Sequence, residues 1–133
     1  MTSTMKTVLL VLLLSVAAFG QMRVQTITIA SGASASSALK PMGGCIPTFI
    51  LMPGTWTAAS LAPEVSTDGV TYTGVYDEYG SQVLIAAAAS RVIRLSPADY
   101  LAFPYLRFSS VNSSGVAANQ AGARSLIVGC KTN

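Results

Sequence analysis

From Thr26 onward no hydrophobic run in this chain lasts long: short stretches rich in β-branched and aromatic residues are cut by Gly, Pro, Asp, Asn or Ser about every eight to twelve residues. That rhythm belongs to an antiparallel all-β fold. Thr26-Ile27-Thr28-Ile29 sets the pattern, alternating polar and apolar with a β-branched side chain at every position, as a strand with one buried face requires. Ser31 to Ser37 is a run of small residues that reads as a loop. Ile46 to Met52 is apolar enough for a buried strand, and Pro47, which cannot donate to a ladder, should mark its start or an edge.

Pro53-Gly54 closes that strand, and Trp56 precedes the next, read over Leu61 to Val65. Asp68-Gly69 lies between Val65 and Val70 and predicts a tight hairpin returning along Val70 to Tyr76, because glycine accepts the positive φ such turns need. Asp77 to Gly80 is a second polar turn, followed by strands over Gln82 to Ile85 and Arg91 to Leu95. Ala86 to Ala89 favours helix by propensity but is too short to nucleate one alone. Ser96-Pro97-Ala98-Asp99 carries helix-start grammar: a capping Ser, Pro at the first helical position and Asp99 placed to close a capping box. Pro104 limits it to one short turn. Strands over Tyr105 to Ser109 and Ser125 to Cys130, separated by a Ser, Gly and Asn loop from Val111 to Asn119, complete the count. About seven to nine short strands with one helical turn describe a single antiparallel β-sandwich or jelly-roll-like domain over residues 22–133.

Residues 1–21 are a different kind of segment. Lys6 precedes Val8 to Phe19, in which Ser15 is the sole polar residue, and Ala18-Phe19-Gly20 offers small residues where a signal peptidase reads. The apolar stretch would reach only about 18 Å as a helix, short of a bilayer core of about 30 Å. It is read either as a removed signal peptide or as a retained arm helix buried against a partner. A membrane contact is expected only if the leader stays on as an anchor.

Charged residues are 10% of the 133-residue chain, which leaves a surface made mainly of Ser, Thr, Gly, Ala and Asn. Such surfaces suit β proteins packed against neighbours. The eight Lys and Arg are scattered without a run, so the net charge of +3 forms no basic stripe interleaved with stacking aromatics. No nucleic-acid partner is expected.

The chemical inventory is thin. There is no His, which removes imidazole metal ligands, the usual general base and the commonest catalytic triads. Among the five carboxylates, Asp77 and Glu78 are adjacent, but neighbours on a strand point to opposite faces, and a solvated turn is the simpler reading. No catalytic residue, metal site or cofactor is expected. Cys45 and Cys130 are too few for a zinc motif, leaving a disulfide, two buried thiols or an intersubunit bond. Trp56, Tyr72, Tyr76 and Tyr79 are the remaining candidates, as an interface or sugar-stacking platform.

Thr26 to Ser34, Met52 to Leu61, Asp68 to Tyr72 and Val75 to Asp77, with the later Ala89-Ser90-Arg91 and Leu106-Arg107-Phe108, resemble in order and spacing a set of small β-sandwich proteins encoded by tailed phages and prophages. The resemblance covers about residues 24 to 130. It implies a non-enzymatic virion structural protein, most plainly a capsid decoration subunit, homo-oligomeric and packed against the major capsid protein or other virion subunits. The leader and the cysteine pair stand outside that pattern and fit the alternative, a secreted carbohydrate-binding or adhesive sandwich.

Overall fold

Residues 23–132 are described by a computed structural model, and the leader expected over residues 1–21 lies outside them. They contain seven strands: β1 (Arg23–Ile29), β2 (Ile46–Leu51), β3 (Ser60–Ser66), β4 (Thr73–Gly74), β5 (Val92–Arg94), β6 (Tyr105–Val111) and β7 (Arg124–Lys131). The first sheet has the order β1-β7-β2-β5 and the second β4-β3-β6, with every neighbouring pair antiparallel. This is the all-β, two-sheet architecture that the strand rhythm predicts. Single 3-10 turns at Pro41–Gly43 and Pro97–Asp99 are the helical elements among the described residues. None is long and apolar enough to cross a membrane.

The core follows from side-chain alternation. In β1, Ile27 and Ile29 are fully buried while Thr26 and Thr28 face outward. Leu126 and Val128 of β7 point the same way, and Ile50 of β2 joins them beneath the first sheet. Leu61, Leu106 and Phe108 supply the facing layer from the second sheet, with Tyr100 packed edge-on against Phe108 at 6.2 Å between ring centroids. Leu39, carried by the loop after β1, is tied to Leu106 through a pair of backbone hydrogen bonds and closes one end of the core.

Pro47 sits where its missing N–H does least harm. It is the second residue of β2, beside a register shift between Pro47 and Phe49, and β5 pairs only from Phe49 onward. The strand start is as the sequence predicts, although β2 itself lies between two neighbours.

Three local expectations are corrected. The hairpin around Asp68-Gly69 is a wide loop, and the returning strand is only Thr73–Gly74 rather than Val70 to Tyr76. Asp68 is the reason: its carboxylate takes the N–H groups of Val70 and Thr71, removing them from any ladder. Gly69 does adopt φ +79°. Gln82 to Ile85 makes isolated bridges to Tyr76 and Leu61 instead of a continuous strand. No capping box forms at Ser96, because the Asp99 N–H that its hydroxyl would cap already donates to the Ser96 carbonyl in the tight 3-10 turn.

Asp68 makes the loop pH-sensitive. Backbone N–H groups of Thr71 and Val70, then the Ser66 hydroxyl, hold its carboxyl from 3.8 down to about 2. The folded carboxyl is the stronger acid, so its contribution to stability is complete above about pH 4 and is lost as pH falls toward 2. Asp68→Asn should flatten that part of the stability profile. Urea unfolding at pH 5 and pH 2 checks it, and an unchanged acid-dependent loss in the variant would assign the effect elsewhere.

Candidate protein-interaction face

The side of the first sheet turned away from the core has a composition unlike an ordinary solvated sheet face. Because Ile27 and Ile29 point inward, Val24, Thr26 and Thr28 point outward, and the ladder register carries that parity across the sheet. Val24, Gly129, Phe49 and Arg94 lie in one cross-strand row; Thr26, Ile127, Leu51 and Val92 lie in the next. Alternation alone would make these positions polar. Five of the eight are instead large and apolar, with Val24 63%, Val92 58% and Leu51 39% exposed.

Gly129 shapes this face. A Cβ at that position would run into the Phe49 ring, so the missing side chain is what lets Phe49 lie across β7. Gly129→Ala is expected to push the ring away and cost about 1–3 kcal/mol. Combining it with Phe49→Leu should recover part of that loss in urea titrations. If Gly129→Ala proved neutral, the ring would not depend on that gap.

Charge is unevenly placed along the chain. Arg23, Arg94, Arg124 and Lys131 belong to strands of the first sheet, which contain no Asp or Glu. Between residues 41 and 90 there is no Lys or Arg, and four of the five acids, Glu64, Asp68, Asp77 and Glu78, fall there. Glu64 is neutralised by Arg107 at 2.8 Å. Asp77 accepts the backbone N–H groups of Tyr79 and Ser81, which fixes the turn and leaves Glu78 exposed beside it.

The four aromatic candidates occupy different places. Trp56 packs against the core with its indole N–H donated to the Ala59 carbonyl at 3.1 Å. Its remaining edge lines a shallow groove of about 450 Å³ with Ala58 to Ser60, Ala86 to Ala89, Asn112 and Ser113. Tyr72 is covered on one face by the Arg107 guanidinium, 4.0 Å from the ring centroid. Arg107 pairs with Glu64, four residues and about 13 Å along β3 from the Ser60 end of the groove. Tyr76 and Tyr79 stand 60% and 87% exposed on the Asp77 turn. The tyrosines therefore do not join Trp56 in its groove.

Cys45 and Cys130 form a disulfide with Cα atoms 4.5 Å apart, across the pairing of β2 with β7. Asp77 and Glu78 form a turn, and no group of three or more potential metal ligands occurs among the described residues.

Sequence reasoning missed Gln120. It is fully buried. Its carbonyl oxygen accepts the Thr57 N–H at 2.8 Å and the Arg124 Nε at 3.2 Å. Its amide donates to the Thr57 carbonyl at 2.9 Å and the Ser110 hydroxyl at 2.8 Å. Gln120 thus stands in for a strand neighbour, pairing both backbone groups of Thr57 and holding the segment that carries Trp56. Nothing in Asn119-Gln120-Ala121-Gly122 marks it as a core residue. Only its surroundings do.

Comparison with protein-family models, curated proteins and solved structures finds no match to this chain.

Proposed function

We propose that this protein is a non-enzymatic virion structural subunit of the tailed-phage type, decorating or stabilising a capsid by packing against the major capsid protein or other virion subunits. The observation that carries the reading is the apolar outer face of the first sheet, a surface that a partner can take out of water. Transfer of apolar area contributes about 25 cal/mol per Å², so a useful interface needs additional surface around this patch to approach about 1,000 Å² in total. The low share of charged residues, 10% of the chain, suits a subunit surrounded by neighbours. The lack of His and the engagement of Glu64, Asp68 and Asp77 in local bonds support a role in binding rather than reaction chemistry.

Mass spectrometry and electron cryomicroscopy of purified particles test this. The expected result is the protein present at a stoichiometric multiple of a capsid or tail subunit; its absence from intact particles would sink the reading.

A second reading, a secreted carbohydrate-binding or adhesive domain, is favoured by the disulfide and by the Trp56 groove. It predicts a shift of Trp56 fluorescence on titration with a glycan identified by array. Silence in both measurements counts against it.

A further inference from the structure

We propose that the outer face of the β1-β7-β2-β5 sheet receives the Tyr76–Gly80 turn of a second copy of this chain, in a head-to-tail contact. The inference rests on the reading of that face as an interface, and names its occupant.

Both halves of a complementary pair are present on one molecule. The receiving face combines Val24, Leu51, Ile127 and Val92 with the exposed Arg94, and the strands of its sheet carry no anion. The turn offers two exposed tyrosines flanking Asp77-Glu78, inside a fifty-residue stretch, 41 to 90, with no cation of its own. Tyrosine is a preferred interface anchor, and Glu78 meets an oppositely charged partner in Arg94. The Asp77 carboxylate bonds to Tyr79 and Ser81 already hold the turn in shape, so little ordering remains to be done on docking.

The size of the face selects a turn over another sheet. Four strands at about 4.8 Å spacing and two outward rows about 7 Å apart give a patch roughly 15 Å by 10 Å. That is far below the roughly 800 Å² per partner of a stable two-fold dimer, and matches the tip of a hairpin. The turn follows β4, in the second sheet, while the face belongs to the outside of the first. A contact between unlike patches leaves one free face and one free turn on every pair, so it propagates into a ring or an open chain. One such contact is weak alone and gains strength when copies are held side by side.

Sedimentation velocity of the full chain over a range of concentration and salt provides the test. The expected result is a weight-average mass that rises with concentration at low salt and falls back at high salt. Arg94→Glu and Glu78→Arg each place like charges across the contact and should weaken self-association about tenfold or more. Mixing the two variants should restore it, because each then offers the other an opposite charge. Both side chains are exposed, so the melting temperature should be unchanged. A chain that stays monomeric at every concentration overturns the proposal. So does association indifferent to both substitutions, which would point to another surface or to the leader. Particles that carry the protein while the isolated chain is monomeric would overturn this contact and leave the virion reading standing.

Discussion

Replacing Cys45 and Cys130 together with alanine is expected to lower the unfolding free energy by about 4 kcal/mol, because the bond closes a loop with a sequence separation of 85. Loop-closure entropy grows slowly with length, but a loop of this size is already near the upper part of the usual range. The crosslink also lies where it matters for topology. Cys45 precedes β2 by one residue and Cys130 is in β7, so the bond ties the third strand of the sheet to its C-terminal neighbour. A domain of this size has only about 5–15 kcal/mol of net stability, so the loss should shift the melting temperature by about 15 °C or more. Urea unfolding of the variant, and of the unsubstituted protein with and without reductant, measures it. Reduction should reproduce the substitution. A loss below about 1 kcal/mol in both would mean that the unfolded chain keeps these segments together without the bond.

Gln120→Leu is expected to cost about 3 kcal/mol. The substitution keeps the bulk but removes all four hydrogen bonds that the side chain makes. Thr57 then loses a partner for both its N–H and its C=O, and each group left unpaired in a buried setting costs about 1–3 kcal/mol. Among the described residues no buried side-chain polar atom lacks a partner, so the substitution breaks a network that is complete. Trp56 is one residue from Thr57, which gives the prediction a local signature: its fluorescence should move toward that of a solvated indole in the folded variant. Urea titration gives the global loss. If stability fell while Trp56 emission stayed put, Gln120 would matter for packing and not for holding that segment.

These two residues mark different limits of reading a chain. The disulfide is one of three options that the cysteine count allows, and the structure buries Cys130 on the same face as Leu126 and Val128. Only the pairing of β2 with β7 selects the intramolecular bond, since no local pattern says which strands become neighbours. Gln120 was illegible, because a polar residue in a loop becomes a core residue only when a distant segment brings it unpaired backbone groups. Strand existence was legible wherever a run alternated, as at Thr26 to Ile29. Strand length failed where side chains competed for the backbone, as Asp68 does for Val70 and Thr71. Nearness in sequence did not make Trp56 and the tyrosines one surface.

What the sequence determines alone is the period-two alternation, the turn chemistry and the absence of imidazole, hence an all-β sandwich without histidine chemistry. Those are local properties, set by each residue's own backbone preferences and functional groups. Tertiary structure decides the strand order, the outward apolar rows and the place of Arg94 beside them. These depend on register between segments far apart in the chain, and a shift of one residue would turn every outward side chain inward.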